Sequence, residues 1–221
     1  MIAADLPQAF DAVPDAWRAA LPGWTPAAVA QVTARVAEVS IDRPIAPARP
    51  FRALELTSPD AVKVVVFGQD PYPTAGHADG LAFSAGHGKP RSLARIFEVL
   101  AADRPGWKPP ASWKLDAWAR QDVVLLNPVL TVEVGRAGSH LDCGWQTLTA
   151  EVVAWLCQRP APPVFLLWGG HAQRFFAVAR PPGSAPRVLV ARHPSYDLKR
   201  EFMADGSHFA QTADLVDWWA F

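Results

Sequence analysis

Cysteine is scarce in this chain, with only Cys143 and Cys157 among 221 residues. The two thiols form no CxxC pair and are too few for a disulfide framework or for a four-thiolate zinc or iron–sulfur site. We interpret both as small core side chains of a protein in a reducing cytoplasm. The sequence therefore predicts a fold that needs neither a disulfide scaffold nor a metal to hold it.

Long apolar runs are absent as well. No segment reaches the roughly eighteen consecutive apolar residues that indicate a membrane span. The first five residues, Met-Ile-Ala-Ala-Asp, lack the basic and apolar regions of an export signal. We expect a cytoplasmic protein with no membrane partner.

Neither sign of charge is in excess, because 21 Lys and Arg residues balance 21 Asp and Glu residues. A net charge of zero argues against a broad electrostatic grip on nucleic acid but is compatible with a few local phosphate contacts. The length suits one domain, since a chain of this size buries about 70% or more of its unfolded surface.

The chain does contain four short apolar runs, each of which ends in a polar motif. The runs cover residues 62–67, 123–126, 164–167 and 187–190, and the motifs that follow them are Gly68-Gln69-Asp70-Pro71-Tyr72, Asn127-Pro128, Trp168-Gly169-Gly170 and Arg192-His193-Pro194-Ser195. Helical patterns lie between the runs, and alternating strands and helices predict parallel pairing with right-handed crossovers. We therefore expect an α/β fold, a three-layer α/β/α sandwich around a central four-stranded, mainly parallel sheet.

The whole chain, 1–221, is expected to form one domain, with a helical lead-in over 1–60 and a core over 61–221. Thr25 before Pro26 predicts a capped helix start, and Ser92 is expected to start another helix. The apolar spacing after Phe209 predicts a last helix that runs to the chain end.

Ligands bind beyond the carboxyl ends of the strands in an open parallel sheet. Asp70, Asn127 and His193 each follow one of the four runs. These three side chains are therefore expected to converge on one pocket. Taken singly, Asp70 is compatible with an Asp-Pro turn and His193 with a turn cap, so the pattern matters more than either residue.

Seven short motifs in order along the chain resemble those of the family 1 uracil-DNA glycosylases. They are Gly68-Gln69-Asp70-Pro71-Tyr72, Gly80-Leu81-Ala82-Phe83-Ser84, Leu125-Leu126-Asn127, Ser139-His140, Gly144-Trp145, Leu167-Trp168-Gly169 and His193-Pro194-Ser195. The resemblance runs from about residue 60 to the end of the sequence with unforced spacing. Any one of these motifs alone would be weak.

The resemblance implies a catalytic role for two residues. Asp70 would support the oxocarbenium-like sugar and orient the attacking water, and His193 would hydrogen-bond the departing uracil at O2. Asn127 would accept from uracil N3–H and donate to O4, which cytosine does not match. Phe83 would stack on the base, Tyr72 would fill the space of a thymine methyl, and Gln69 would contribute backbone amide contacts.

The family also implies contacts with DNA, because the scissile bond is reached only by flipping the base. Pro71, Ser92, Gly169, Gly170 and Ser195 match the loops that grip phosphates in the family. The resemblance thus implies a monomeric, monofunctional glycosylase of base-excision repair, without metal or organic cofactor. It would act on uracil in single- or double-stranded DNA and be open to a phage-encoded inhibitor that mimics DNA.

Two positions depart from the family pattern. Pro73 stands where the family usually has a histidine that helps to hold the attacking water. A leucine that wedges into the vacated base stack usually follows HPSP, but a count without gaps places Asp197 there, and a carboxylate is poorly suited to that role. Tyr196 or Leu198 would take over after a shift of one residue, and Lys199 and Arg200 are further candidates for phosphate contact.

These departures leave two other functions open. One is a module that binds uracil or damaged DNA with little turnover, motivated by Pro73 and the altered wedge. The other is a hydrolase of free nucleosides, which rests on the fold alone.

Overall fold

The computed structural model describes residues 1–221 with the exception of the Tyr196 side chain. The wedge and DNA contacts expected of Tyr196 lie outside the described residues. None of the helices in the described part is long and apolar enough to cross a membrane.

The helices and strands alternate along the chain from residue 45 onward. In chain order the helices are α1 (Leu6–Phe10), α2 (Asp15–Ala20), α3 (Pro26–Val39), α4 (Arg52–Glu55), α5 (Arg91–Asp103), α6 (Asp116–Ala119), α7 (Trp145–Cys157), α8 (Gly170–Ala179) and α9 (His208–Gln211). The strands are β1 (Ile45–Ala46), β2 (Val64–Phe67), β3 (Val123–Leu126), β4 (Val132–Glu133), β5 (Val164–Trp168) and β6 (Val188–Ala191). Short 3₁₀ turns occupy Ala3–Asp5, Pro59–Ala61 and Pro194–Tyr196.

The four predicted apolar runs form one sheet in the order β3-β2-β5-β6, with every neighbouring pair parallel. Helices cover this sheet, which confirms the three-layer α/β/α sandwich that the sequence predicts. The pair β1 and β4 forms a separate antiparallel ladder that was not predicted. Two residues a strand are too few to show an alternating pattern.

The central strands are buried on both faces, as their unbroken apolar runs require. Every residue of β2, β3 and β5 is buried, whereas β6 is a half-buried edge strand. The amide of Ala82 donates to the carbonyl of Leu125, so the segment around residue 82 covers the other edge. Both cysteines are buried core residues, as expected.

The predicted C-terminal helix is wrong, because α9 ends at Gln211 and turns follow it. Indole groups fix the last residues of the chain: Trp118 Nε1 donates to the carbonyl of Trp218, and Trp107 Nε1 donates to that of Trp219. Gln121 also bonds the backbone of Asp217 through both amide atoms. Tertiary hydrogen bonds thus override the helical spacing of the apolar residues.

The helix expected from Ser92 is present but begins one residue earlier, and Ser92 does not cap it. Helix α5 begins at Arg91 with Pro90 in the cap position, and no side chain caps it. The Ser92 hydroxyl instead lies 2.6 Å from the Tyr72 hydroxyl and is buried. Because this partner is 20 residues away in sequence, local spacing gave no indication of it.

The predicted start of α3 is confirmed: Thr25 Oγ1 accepts from the amide of Ala28 at 3.1 Å, and Pro26 is the first helical residue. We expect Thr25→Ala to lower the free energy of unfolding by about 1 kcal/mol, because the amide of Ala28 loses its acceptor. Urea unfolding of the two proteins measures this change. Thr25→Ser keeps the acceptor and is the control; an equal loss in both variants would contradict the capping role.

Candidate active site

A cavity of about 440 Å³ lies at the carboxyl edge of the sheet. Nine predicted site residues line it: Gln69, Asp70, Pro71, Tyr72, Phe83, Ser92, Asn127, His193 and Ser195. They come from segments that follow β2, β3 and β6 and from the start of α5. The expected convergence of Asp70, Asn127 and His193 on one pocket is therefore observed.

Asp70 is held by a turn that is distant in sequence. Its Oδ2 accepts from the amide of Gly138 at 2.9 Å. The same turn is tied down a second time, because the amide of Gly135 donates to the carbonyl of Pro73 at 2.8 Å. Residues 135–138 therefore dock on the Asp70 motif at both of their ends.

Burial raises the pKa of the Asp70 carboxyl above its usual value. The Gly138 amide and the charge of His171 act in the opposite direction but do not cancel this effect. The net result is a carboxylate less well solvated than in water, which strengthens its interaction with a nearby positive charge.

His193 is held as a neutral imidazole. Burial, followed by the proximity of His171, lowers its pKa to about 4. The amide of Ser195 donates to Nδ1 at 3.1 Å, so the proton of the neutral ring is on Nε2. His193 can therefore donate a hydrogen bond from Nε2 without carrying a charge.

Gly169 explains how His193 reaches this position. A Cβ on Gly169 would lie 2.8 Å from the Cβ of His193, and its φ of 103° is one that favours glycine. The close approach of the two backbones requires this glycine. Gly169 thus supports the catalytic site, and Gly170 beyond it is exposed at the start of α8.

Asn127 is 8% exposed and follows β3 directly. A Cβ on Gly68 would lie only 2.1 Å from the Asn127 Oδ1, so glycine is needed at the end of β2. Among the described residues, we find no hydrogen bond to the Asn127 side-chain amide. Its oxygen and nitrogen can therefore bind a planar heterocycle in the cavity.

Tyr72 and Phe83 form the aromatic part of the wall. The Tyr72 hydroxyl bonds Ser92 and also donates to the carbonyl of Phe83 at 3.1 Å, and burial raises the pKa of this phenol. Phe83 has a left-handed φ of 63° and packs against Trp168 and His193, with ring centroids 5.2 and 5.9 Å away. A strained backbone held by its surroundings is a feature of functional sites.

A count without gaps places Asp197 at the wedge position, but in the structure another side chain of this segment is the exposed one. Asp197 turns inward, and its side chain is 2% exposed beside Arg95. Leu198 is 98% exposed, and Lys199 and Arg200 are exposed next to it. Leu198, Lys199 and Arg200 do not line the cavity, and their contacts with DNA stay a prediction.

Sequence reasoning missed Gly138 and several apolar wall residues, Leu126, Leu130 and Leu141. The leucines are indistinguishable from core residues in the sequence. Gly138 is 68 residues from Asp70, and a glycine in a turn gives no sign of the carboxylate that its amide binds. Within the described residues, no group of three or more His, Cys, Asp or Glu side chains is arranged to hold a metal ion.

This arrangement can bind a flat ring and assist the breaking of a bond beside it. The aromatic wall and the Asn127 amide suit the ring, the neutral imidazole can donate to an oxygen that gains negative charge, and the Asp70 carboxylate can stabilise a developing cation. When a bond breaks into a positive and a negative fragment, one preorganised group that stabilises the cation and another that stabilises the anion together lower the energy of the transition state.

Comparison with known proteins gives one consistent result. A sequence model of the uracil DNA glycosylase superfamily matches residues 55–216. The uracil-DNA glycosylase of Bordetella pertussis is 43% identical over 212 residues, which cover 91% of this chain and 82% of that protein. The uracil-DNA glycosylase of varicella-zoster virus is 45% identical over 178 residues, which cover 76% of this chain and 57% of the viral protein.

Solved structures agree with the sequence comparison. A variant of the mimivirus uracil-DNA glycosylase, crystallised in complex with UGI, superposes with a TM-score of 0.68 and 26% identity. The alignment covers 77% of this chain and 64% of the mimivirus chain. This chain therefore spans slightly less than two thirds of that viral structure.

We predict that His193 titrates at about pH 4 and carries its neutral-form proton on Nε2, because burial disfavours the charged ring and Ser195 donates to Nδ1. Nitrogen-15 NMR of the imidazoles across pH 3 to 8 reports both the pKa and the tautomer. His193→Gln identifies the resonance. A titration near the ordinary value of 6.5, or a proton on Nδ1, would be inconsistent with the site as described.

Proposed function

The chain belongs to the uracil DNA glycosylase superfamily, and from this premise we infer that it is a monofunctional uracil-DNA glycosylase. It flips deoxyuridine out of DNA, hydrolyses the N-glycosidic bond, and leaves free uracil and an abasic site for base-excision repair. The observation that carries this function is the convergence of Asp70, Asn127 and His193 in one cavity.

A uracil-binding module with little turnover is not favoured. The carboxylate and the imidazole that chemistry requires are both in the cavity, and relatives at more than 40% identity are uracil-DNA glycosylases. A binding module would need the base-recognition wall but would have no need of a half-buried carboxylate beside it.

We assign the sugar half of the reaction to Asp70. As the glycosidic bond lengthens, positive charge develops on the deoxyribose, and the half-buried carboxylate stabilises it at close range. Because Oδ2 is bound by the Gly138 amide, the attacking water is assigned to the other carboxylate oxygen. Asp70 must be ionised for both tasks, so activity is expected to fall in acid as this carboxyl becomes protonated.

We assign the leaving group to His193. Negative charge collects on uracil O2 as the bond breaks, and the Nε2–H of the neutral ring donates to that oxygen. Most sugar hydrolases need a second carboxylic acid to protonate a leaving oxygen. Uracil departs more readily as an anion, so one hydrogen-bond donor suffices.

The cavity wall selects the base. Asn127 pairs with N3–H and O4 of uracil, and cytosine offers the opposite pattern at both positions. Phe83 stacks on the ring, and Tyr72, fixed by Ser92 and by the carbonyl of Phe83, occupies the space where thymine has its methyl group. Backbone groups of Gln69 complete the polar contacts.

Pro73 stands at the position where the family usually has histidine. It lacks a side-chain donor for water, but its carbonyl accepts from Gly135 and so helps to place Gly138 against Asp70. We propose that the Asp70 carboxylate positions the water without help from a side chain at residue 73.

We propose that DNA crosses the carboxyl edge of the sheet above the cavity. Pro71, Ser92, Gly169, Gly170 and Ser195 surround the flipped nucleotide and contact its phosphates, with Lys199 and Arg200 further out. Leu198 fills the space that the base leaves, because it is the fully exposed apolar side chain of the loop after Ser195.

The same surface is the proposed site for a protein that mimics DNA. The mimivirus relative was crystallised in complex with UGI. We propose that this chain acts as a monomer on single- and double-stranded DNA in the cytoplasm and is open to an inhibitor of that kind.

Asp70→Asn is expected to reduce uracil release by about 100-fold or more, because the amide cannot stabilise the sugar cation. The assay is the release of free uracil from a single-stranded oligonucleotide in the presence of EDTA. Asp214→Asn makes the same chemical change at an exposed carboxylate and should leave the rate unchanged. Full activity of Asp70→Asn would remove Asp70 from the mechanism.

Asn127→Asp is expected to relax the rejection of cytosine, because a carboxylate accepts from the cytosine amino group where the amide donates to uracil O4. The measurement is cytosine release from single-stranded DNA, compared with uracil release by the same variant. Asn127→Ala removes both contacts and should impair both bases. Unchanged discrimination in Asn127→Asp would contradict base selection by this side chain.

A further inference from the structure

The exposed Leu198 stands at the tip of a tight turn. The amide of Arg200 donates to the carbonyl of Asp197 at 3.1 Å, which closes a four-residue turn with Leu198 and Lys199 between its ends. Arg200 adopts a left-handed φ of 57°. The turn therefore has two defined ends, Asp197 and Arg200, and one exposed apolar side chain at its tip.

The first end of the turn is anchored to helix α5 by an ion pair that is largely shielded from solvent. Arg95 Nε donates to Asp197 Oδ2 at 2.6 Å, and the two side chains are only 16% and 2% exposed. The other oxygen, Oδ1, accepts from the amide of Phe202 at 2.9 Å. Burial alone would raise the pKa of Asp197, but the bonds from Arg95 and from two backbone amides keep it below the usual value.

The second end of the turn is anchored to the same helix. Arg200 pairs with Glu98, and Glu98 also lies 3.3 Å from Arg95 one helical turn earlier. Residues three apart lie on one face of a helix. Both ends of the turn are thus tied to one face of α5, and only its tip projects into solvent.

We propose that these four residues, Arg95, Glu98, Asp197 and Arg200, form a clasp that positions Leu198 for entry into duplex DNA. This inference rests on the proposed function. Asp197 bonds both Arg95 and the amide of Phe202, so it is the central residue of the clasp. A carboxylate is unsuited to insertion into a base stack but forms strong hydrogen bonds with arginine. The anchor acts through Leu198, so Arg95 and Asp197 are positioning residues and not catalytic ones.

The clasp matters for duplex DNA because there the enzyme must displace a paired and stacked base. A turn that is ordered before binding loses less conformational entropy when the leucine enters the stack. A single-stranded substrate presents its uracil without a partner to displace. Loosening the turn should therefore slow excision from duplex DNA and leave excision from single strands nearly intact.

The two ion pairs are expected to contribute unequally to the position of the turn. The Arg95–Asp197 pair is largely shielded from solvent, and loss of Arg95 leaves the Asp197 carboxylate with bonds from backbone amides alone. The Glu98–Arg200 pair is exposed, with side chains 48% and 66% accessible, and such pairs contribute little. The Arg95–Asp197 pair should therefore contribute more than the Glu98–Arg200 pair.

The test is the rate of uracil release from a U:A duplex and from the single strand of the same sequence, measured for Arg95→Gln and Asp197→Asn. We expect each variant to lose about 10- to 100-fold on the duplex, the scale for a misplaced functional group, and less than about twofold on the single strand. Glu98→Gln should lose less. Arg104→Gln removes the same charge from the exposed far end of α5 and is the control.

A second comparison tests whether the clasp acts through the leucine. In a Leu198→Ala background, Arg95→Gln should cause little further loss on the duplex, because residues that act in series do not add. An equal loss on both substrates, or fully additive losses with Leu198→Ala, would overturn the clasp. Absence of uracil release by the unaltered protein from either DNA would instead refute the proposed function, so the two failures are distinct.

Discussion

The in-register hydrogen bonding of four parallel strands is the constraint on which the site depends. Phe67 at the end of β2 pairs with Leu126 of β3 and with Leu167 of β5, and Leu167 pairs with Val190 of β6. The strands therefore stop at one level, and the residues after them share one edge. Asp70, Asn127 and His193 meet there because each lies within three residues of its strand. A slip of register in any pair would separate them.

At this edge of the sheet, backbone amides modify the effect of burial on the Asp70 carboxyl and the His193 imidazole. Removing the Asp70 carboxylate from water raises its pKa, and the amide of Gly138 offsets part of that effect. Burial of His193 has the opposite consequence for charge and keeps the ring neutral, with the Ser195 amide choosing the tautomer. The same environment thus holds the Asp70 carboxylate, which can stabilise a cation, beside the neutral His193 imidazole, which can donate a hydrogen bond to an anion. The contrast follows from the different charged forms of a carboxyl and an imidazole.

The two departures from the family pattern differ in what the structure shows for them. At residue 73 the backbone carbonyl accepts from Gly135, a bond that any residue there could make, and nothing in the structure explains the proline side chain. At residue 197 the side chain itself is used, because the Asp197 carboxylate bonds Arg95 and anchors the turn that exposes Leu198. Only the second departure therefore has a structural explanation.

The sequence by itself determined the sheet, because short apolar runs with polar endings, separated by helical patterns, favour parallel strands in an α/β fold. The runs also placed Asp70, Asn127 and His193 at one edge, whereas Phe83 and Ser92 were identified through the resemblance to the family. Only the tertiary structure decided the path after Gln211, where indole and amide hydrogen bonds replace the expected helix. The same holds for Ser92 with Tyr72, Gly138 with Asp70, and Asp197 with Arg95. Each of these is a single hydrogen bond or ion pair between residues 20 to 102 positions apart, and local periodicity carries no information about such partners.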